Sequence, residues 1–588
     1  MNHYKAPMDN MNFVLFEVLK AGNIANIEQF ADATEDMQRA VLEEAAKLAE
    51  NVLQPINASG DREGCVYDPE AKTVKTPSGF KEAYKTYQEG GWSGLASPVE
   101  HGGQGLPHFL KVVVDEMCCS TNLSFGMYPG LSHGSIDALT LHGNEHQQSY
   151  YLPKLIAGEW TGTMCLTEPH CGTDLGLIKT KAEPQADGSV SITGNKVWIT
   201  GGDHDMTDNI IHLVLAKLPD APAGSKGISL FLVPKFLEDG SRNPAFCGGL
   251  EHKMGIKGSA TCVMNFEGAK GWLVGKENEG LKCMFTMMNA ARIMVGMQGL
   301  GLAETGYQVS LAFAKDRLQS RSLTGPRNPE GPADPIIVHP DVRRMLLKQK
   351  VLIEAGRAMA YWAAYQQDLA HAAPEEADRE KADDLFQIMT PIVKSFLTDE
   401  GYFSADAALQ SMGGNGYTQD WPVEQLLRDG RIARIYEGTN GIQALDLIGR
   451  KLTMRGGRLP RTYIAAMNDL IADALPEHKK QAEQFIAKLT QTLMGLVKTV
   501  MSDPEEAGAA ATPLLRMFAL TSLAVMWAKM AKQTQDDGTK SRFSEDFLEG
   551  KVKAANHFYR LYLPEMDQLA ADVEAGKATL MDLAEAEF

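Results

Sequence analysis

The sequence has few cysteines and no metal-ligand spacing. Eight cysteines occur in 588 residues, and none forms a CxxC pair. Two of them, Cys118 and Cys119, are adjacent and cannot easily bridge each other. This usage is typical of reduced thiols in a cytosol rather than of a disulfide framework. No Cys/His cluster has the spacing of zinc ligands, so we expect no structural metal.

Basic residues are fewer than acidic ones, with 57 Lys and Arg against 75 Asp and Glu. The formal net charge is −18 at pH 7, which disfavours nucleic acid and anionic lipid as partners over most of the surface. Residues 451–588 contain 17 Lys and Arg against 19 Asp and Glu, a net of −2 without a basic run. We therefore expect no nucleic-acid binding by this region. A few local cations could still bind an anionic ligand.

Long hydrophobic runs and targeting signals are missing as well. The longest apolar-rich run, residues 517–527, is too short to span a bilayer. Residues 1–10 lack the basic region and apolar core of a secretory signal. Apolar residues make up 44% and charged residues 22%, which is ordinary for a soluble globular protein. We expect a cytoplasmic protein that does not bind a membrane.

The hydrophobic pattern changes period twice along the chain. Helical spacing is followed by alternation over residues 189–200 and then by four long helical segments, 284–315, 340–369, 379–412 and 423–451. Four helices of this length predict an antiparallel bundle. The expected fold is mainly α with an inserted β domain. The expected segments are an N-terminal extension (1–36), a helical N-terminal domain (37–160), a middle β domain (161–280), a four-helix bundle (281–452) and a helical C-terminal extension (453–588).

Residues Gly130 to Gly134 match G-x-S-x-G, the nucleophile-elbow pattern of hydrolases. That pattern requires a strand before the serine and a helix after it. Here Gly126 and Pro129 precede it and the surrounding region is helical. The match therefore does not predict a catalytic serine.

Two loops of the β region carry groups that could bind a flat cofactor. Residues 167–174 form a polar loop with Gly and Pro, and residues 197–202 end a strand with a tryptophan, a hydroxyl and two glycines. Each alone is more often a strand-end loop. Together they offer the backbone N–H groups, hydroxyls and aromatic face that a flavin needs.

Three further features have two interpretations each. The run Gly413–Gly416 either stops a helix or lets the backbone approach a ligand closely. Arg292 and Arg317 lie on a mostly apolar helix, where an arginine either pairs with a carboxylate or binds a phosphate. Glu437 is either a general base on a tight loop or a favourable charge at the start of a helix capped by Thr439 or Asn440.

The order of these pieces is more specific than any one of them. In order, the motifs are 102–105 (GGQG), 165–169 (CLTEP) with 172–174 (GTD), 198–200 (WIT), 412–417 (MGGNGY) and 435–439 (IYEGT). This combination resembles the acyl-CoA dehydrogenase family over roughly residues 37–452. The resemblance implies a helical N-terminal domain, a middle β-barrel or sheet domain and a C-terminal four-helix bundle.

The resemblance also implies FAD between the β domain and the bundle, with part of the site supplied by a second subunit. By motif, Glu437 is the catalytic base. The implied FAD contacts are Leu166, Thr167, Gly172, Thr173, Trp198, Thr200, Arg317, Gln410, Gly413, Gly414 and Thr439, and the implied substrate contacts are Thr173, Arg292, Tyr436 and Gly438. Two positions depart from the family: Thr173 replaces the usual serine, and Gly441 stands where a glutamine is common.

The implied reaction is α,β-dehydrogenation of an acyl-CoA, with an electron-transfer flavoprotein as acceptor and a homodimer as the assembly. Residues 4–7 and 13–15, with the helical region after 455, resemble the C-terminally extended subgroup. Within it the chain is most similar to 3-methylmercaptopropionyl-CoA dehydrogenases, which act in dimethylsulfoniopropionate degradation. The alternatives are a short- or medium-chain acyl-CoA dehydrogenase of β-oxidation, an acyl-CoA oxidase and a DNA-binding non-enzymatic relative.

Overall fold

The computed structural model describes residues 4–500 and 503–588. The chain divides into two compact units, Met1–Glu43 with Val295–Phe588, and Glu44–Met294. The helices are α1 (Met8–Asn12), α2 (Glu35–Leu48), α3 (Asn57–Glu63), α4 (Phe80–Glu89), α5 (His108–His142), α6 (Glu145–Tyr150), α7 (Leu152–Ile156), α8 (Gly280–Asp316), α9 (Pro340–Ala372), α10 (Glu376–Met412), α11 (Val423–Gly430), α12 (Asn440–Asp446), α13 (Met454–Leu470), α14 (Pro476–Val500), α15 (Pro504–Gln533), α16 (Asp537–Arg542), α17 (Glu545–Ala575) and α18 (Ala578–Met581). The strands are β1 (Val66–Asp68), β2 (Thr73–Lys75), β3 (Trp160–Cys165), β4 (Lys181–Pro184), β5 (Val190–Thr200), β6 (Asn209–Lys217), β7 (Ile228–Pro234), β8 (Ala245–Leu250) and β9 (Thr261–Val274).

The centre of the unit Glu44–Met294 is a sheet that closes on itself. Its strands follow the order β3-β6-β4-β5-β9-β7, β8 pairs with β9, and β6 also pairs with β7. The pairs β3–β6 and β4–β6 are parallel, whereas β6–β7 and β5–β9 are antiparallel. Nearly all residues of β6 and β7 are buried, as their continuous apolar sequences predict. The inserted β domain is therefore confirmed.

Helix α5 contains the G-x-S-x-G match. The helix runs through Gly130 and Gly134 and has one non-helical residue, Asn122. Ser132 is 4% exposed, donates from Oγ to the Tyr128 carbonyl at 3.1 Å and accepts from the Gly162 N–H at 3.0 Å. This serine holds the helix against β3 and is not presented as a nucleophile.

The other unit contains the predicted bundle, with one difference. Helices α9 and α10 match the expected segments 340–369 and 379–412, but the segment 423–451 is not one long helix. Helix α11 ends at Gly430, and a 3-10 turn follows at Ile432–Arg434. Glu437 and Gly438 then have φ values of 57° and 81°, which a right-handed helix cannot contain. Helix α12 then begins at the cap Thr439. The break places the predicted base on a loop.

The C-terminal helices pack onto the bundle. Helix α15 contacts α9, α10 and α12, and α17 contacts α9 and α15. Among the described helices, α15 is the one long and apolar enough to cross a membrane, and 78% of its most apolar window is buried within the fold. Such burial is typical of the core helix of a soluble protein. The apolar run 517–527 lies inside this helix.

The N-terminal segment docks on the same unit. Residues Phe13–Val18 form a buried π-helical turn, and the Phe13 ring meets Phe543 and Phe547 edge-on, with 5.5 Å between centroids in each case. Glu17 accepts from Arg542 at 3.0 Å. The apolar patch of the first 36 residues is thus part of the core beside α17.

Candidate active site

The predicted site residues fall into two sets, one in each unit. In the unit Glu44–Met294, the loop after β3 lies along the end of β5. The Val197 N–H donates to the Thr167 carbonyl at 3.0 Å, and the Lys196 ammonium donates to the Leu166 carbonyl at 2.8 Å. The structure therefore brings the first loop motif beside the second, as the cofactor interpretation requires.

A buried ion pair holds these two loops together. Lys196 is fully buried on β5, and its Nζ lies 2.9 Å from Glu168 Oε1 in the loop. Burial alone would raise the pKa of Glu168, but the Lys196 ammonium and hydrogen bonds from Thr180 and the Lys179 N–H hold that pKa below its usual value. Lys196 is not predicted from the sequence, because nothing in an alternating strand tells a buried cation from an exposed one.

The same carboxylate belongs to a cluster with metal-ligand chemistry. Donor atoms of Glu168, His170 and Cys171 lie within 4.8 Å of one another. However, both carboxylate oxygens already accept hydrogen bonds, from Lys196 and Thr180 on one oxygen and from the Lys179 N–H on the other. The ion pair accounts for this cluster, since the Glu168 carboxylate is engaged within the protein.

The exposed residues of this set suit a flat ligand. Trp198 is 64% exposed and has a left-handed φ of 60°, at a register shift between Lys196 and Ile199 in the β5–β9 pairing. A tryptophan in this conformation is strained, and such strain concentrates at functional sites. Gly172 and Thr173 are exposed on the neighbouring loop, while Thr200 is partly buried.

In the other unit, four of the predicted FAD contacts lie at the ends of α8 and α10: Arg317, Gln410, Gly413 and Gly414. Arg317 follows α8 and Gln410 lies in the last turn of α10, and both are exposed. The rings of Phe313 on α8 and Trp421, a few residues beyond α10, meet edge-on at 5.4 Å. This contact brings the end of α8 close to the segment that follows α10.

The glycines after α10 leave open space. Gly413 has a φ of 59°, and a Cβ added to Gly413 or Gly414 would meet nothing within 4 Å. A bare backbone facing open space fits the close approach of a phosphate-bearing cofactor. With the exposed Trp198 indole, these glycines are the features of the chain that fit FAD.

The loop that carries Glu437 is the most unusual backbone in the bundle. Glu437 and Gly438 are consecutive left-handed residues, and the Tyr436 hydroxyl donates to Gln298 Oε1 at 2.5 Å. The Thr439 hydroxyl accepts from the Ile442 N–H at 3.3 Å, so Thr439, and not Asn440, caps α12. The carboxylate of Glu437 is partly exposed.

Arg292 differs from the other predicted substrate contacts because it is buried. It lies on α8 and is 4% exposed. Burial fits an arginine engaged within the protein at least as well as one that reaches for a CoA phosphate. Its role as a substrate contact stays a prediction.

Four family models match consecutive parts of the chain. They are the acyl-CoA dehydrogenase N-terminal domain (35–159), middle domain (163–269) and C-terminal domain (278–453), and an acetyl-CoA dehydrogenase C-terminal-like domain (463–584). The three acyl-CoA dehydrogenase domains, matched in this order, are those of a flavin-dependent dehydrogenase. The chain belongs to the acyl-CoA dehydrogenase family, in the group with the C-terminal extension, and is an FAD-dependent enzyme.

Full-length relatives agree with this assignment. A 3-methylmercaptopropionyl-CoA dehydrogenase of Ruegeria pomeroyi is 39% identical over 96% of each chain. A broad-specificity linear acyl-CoA dehydrogenase of Mycobacterium tuberculosis is 34% identical over 100% of each chain. The solved structure of an acyl-CoA dehydrogenase from Bacillus anthracis complexed with FAD has a TM-score of 0.74 at 20% identity, covering 94% of this chain and 90% of that one. This last similarity shows the fold.

Proposed function

We propose that the enzyme oxidises the Cα–Cβ bond of 3-methylmercaptopropionyl-CoA to give 3-methylthioacryloyl-CoA, with Glu437 as the base. The observation that supports this base most directly is the left-handed backbone of Glu437 between Tyr436 and the cap Thr439. A non-glycine residue in this conformation is energetically costly, and such residues cluster at active sites. The conformation of Glu437 is explained if the carboxylate must point at a substrate.

The chemistry divides between the chain and the cofactor. A thioester acidifies its α-carbon, and a positioned carboxylate can remove that proton. The Glu437 N–H is the proposed donor to the thioester oxygen, where negative charge develops. When bound, FAD accepts the hydride that leaves the β-carbon.

The proposed FAD contacts come from both sets of site residues. Leu166, Thr167, Gly172 and Thr173 on the first loop, with Trp198 and Thr200 on β5, would hold the ring. Thr439 would close the site behind it. Arg317, Gln410, Gly413 and Gly414 would contact the adenine and pyrophosphate half, from across a dimer. Their exposure within one chain supports this.

The proposed substrate rests on the Ruegeria relative more than on pocket chemistry. Met254, Met287 and Met288 are the methionines that could suit a thioether, but Met287 is 1% exposed and Met288 packs against the same core. These two are better explained as adaptable packing. A short- or medium-chain acyl-CoA is the second candidate, because the Mycobacterium relative acts on linear acyl-CoA substrates.

We further propose a cytoplasmic homodimer that passes electrons to an electron-transfer flavoprotein and binds neither nucleic acid nor membrane. The net charge of −18 and the buried α15 support the last two points. A face of α9 and α10 is covered by α15 within the same chain. That cover supports a dimer, because it leaves less of the bundle for further subunits.

The test is an anaerobic substrate series read by flavin bleaching. Purified enzyme is mixed with propionyl-, butyryl-, pentanoyl-, octanoyl- and 3-methylmercaptopropionyl-CoA. Pentanoyl-CoA is the matched control, because it replaces the sulfur by a methylene at the same chain length. We expect 3-methylmercaptopropionyl-CoA to have a kcat/KM at least about tenfold above pentanoyl-CoA, or about 1.4 kcal/mol.

The possible results separate the alternatives. Equal or faster bleaching with pentanoyl- or octanoyl-CoA would overturn the sulfur substrate and leave the dehydrogenase activity intact. Peroxide formed in air at the rate of turnover, without reduction of an electron-transfer flavoprotein, would indicate an oxidase. Absence of bleaching with every thioester would contradict the proposed function.

A further inference from the structure

A buried lysine lies directly behind the proposed base. Lys394 is in the middle of α10 and has no exposed surface. Its Nζ donates to the Gly438 carbonyl at 2.8 Å and to Asn440 Oδ1 at 2.9 Å. An ammonium is costly to bury without hydrogen-bond partners, and two of the partners of Lys394 belong to the loop of the proposed base.

A second buried side chain holds the other carbonyl of the same turn. Gln443, on α12, is fully buried and donates from Nε2 to the Glu437 carbonyl at 2.9 Å and to the Gly438 carbonyl at 3.2 Å. Lys394 and Gln443 together therefore fix the two peptide planes that follow Glu437 and Gly438.

The amide of Asn440 ties this arrangement back to α10. Its Nδ2 donates to the Ser395 carbonyl at 3.2 Å and to Thr398 Oγ1 at 3.0 Å. The loop is thus anchored to the helix that carries Lys394 at the residue just after the cap. A bond from an ammonium is about twice as strong as one from a neutral donor, so Lys394 is the strongest of these anchors.

The backbone that these groups hold is the strained one. A non-glycine residue in the left-handed region is disfavoured and persists only where its surroundings over-determine it. Glu437 has a φ of 57° and Gly438 a φ of 81°. Without donors behind their carbonyls, the loop would be free to relax, and the direction of the Glu437 side chain would change with it.

We propose that Lys394, assisted by Gln443, is the positioning residue of the catalytic base. This inference rests on the proposed role of Glu437. Lys394 does not touch the substrate or take the proton. It sets the peptide geometry from which the Glu437 carboxylate reaches the α-carbon, and with it the Glu437 N–H that faces the thioester oxygen.

The test uses the FAD-loaded enzyme and the variants Lys394→Met and Gln443→Met, which keep side-chain length and remove the donors. A single turnover with the best thioester is followed by anaerobic flavin bleaching. We expect the rate constant to fall about 10- to 100-fold in Lys394→Met, since small misplacements of reacting groups have effects of this size. The bleaching amplitude, FAD content and dissociation constant of a non-reactive thioether analogue should stay within twofold.

The control is Lys451→Met. Lys451 is also a buried lysine of this unit, 1% exposed, and it donates to Gln387 Oε1 at 2.6 Å. Its loss should leave the rate constant within twofold. The control shows whether the removal of any buried ammonium slows the enzyme.

The outcomes distinguish this inference from the proposed function. A rate constant within twofold of wild type in Lys394→Met, or a fall in amplitude at an unchanged rate constant, overturns the positioning role. If Lys394→Met loses FAD, Gln443→Met decides by the same criteria. Normal turnover by Glu437→Gln overturns the base itself. An inactive Glu437→Gln beside a normal Lys394→Met rejects the positioning role alone.

Discussion

Two regions of the same unit use buried charge differently. One is the contact of the C-terminal extension with the bundle, and the other is the Glu437 loop. Where α17 meets α9, Lys551 and Glu354 pair at 3.0 Å with side chains 1% and 8% exposed. Nearby, the Trp527 indole on α15 donates to the Val351 carbonyl at 3.1 Å. Both partners of each contact are regular helical residues, and the buried Glu354 carboxylate pairs with a second ammonium as well, that of Lys350.

At the Glu437 loop, the buried Lys394 ammonium donates to the Gly438 carbonyl and to the side-chain oxygen of Asn440, and the backbone is left-handed. Glu437, the residue before Gly438, is partly exposed. The first region uses its charges to hold two elements together. The second holds a carboxylate in a conformation that the chain would not adopt by itself. Stability and function are therefore expected to respond to different substitutions.

The largest expected effect separates the two regions by activity. Glu437→Gln should lower kcat about 10²- to 10⁴-fold, the range of a lost general base, with FAD content and thermal stability unchanged. The control is Glu424→Gln, which removes a carboxylate paired with Arg428 within α11, with both side chains 18% exposed. Stopped-flow bleaching measures both. Turnover near that of wild type in Glu437→Gln would make the loop a structural feature only.

The second expected effect is on stability and not on chemistry. Glu354→Gln leaves Lys551 buried without its carboxylate and should lower the free energy of unfolding by about 3–5 kcal/mol. The matched control, Glu549→Gln, breaks the exposed pair with Lys553 on α17 and should change it by less than about 1 kcal/mol. Urea denaturation gives the values, and hydrogen exchange of α17 peptides shows where opening begins. Equal effects of both variants would contradict the difference between buried and exposed pairs.

The smallest expected effect is a change of stability with pH. Burial lowers the pKa of Lys551 to about 8 from an unfolded value near 10.5. Between these values the unfolded chain binds a proton that the folded chain does not, so the free energy of unfolding rises with pH across this window. The rise should be absent in Lys551→Met. Urea denaturation at pH 8 and pH 10 measures it, and parallel curves for the two proteins would contradict the shift.

The pKa of Glu354, the carboxylate of the same pair, is lowered by neighbouring charge and not by burial. Burial alone would raise the pKa of Glu354, but the ammonium groups of Lys350 and Lys551 lower it to about 2, below the ordinary 4.5. Its contribution to stability is complete above pH 4.5 and is lost as the pH falls through 2. The difference in unfolding free energy between wild type and Glu354→Gln should therefore shrink below pH 4.5.

Elements with a strong local signal were predicted closely. The alternation over 189–200 corresponds to β5 (Val190–Thr200), and the segment expected from residue 340 is α9, which begins at Pro340. The prediction of one long helical segment over 423–451 was wrong, because apolar spacing continues on both sides of the loop that contains Gly438. Helix α12 begins anew after the cap Thr439. The spacing of apolar residues does not indicate where the backbone becomes left-handed.

Two of the buried lysines show a second limit of prediction from the sequence. Lys196 and Lys394 look in the sequence like polar residues of an alternating strand and of a long helix. Only the fold places each one behind a loop whose carbonyls need donors. The partners named above are 28 to 46 residues away along the chain, beyond the reach of local patterns.

The sequence by itself determined the class of this protein: the helical and β segments, the motifs in order and the carboxylate at Glu437. Those properties follow from local hydrophobic period, turn chemistry and motif order, which short stretches of chain carry. The tertiary structure alone decided that Glu437 is left-handed, that Thr439 and not Asn440 caps α12, and that Lys394 lies behind this loop. Backbone strain and a buried cation are stable only when distant residues supply their partners, so no single stretch of sequence contains them.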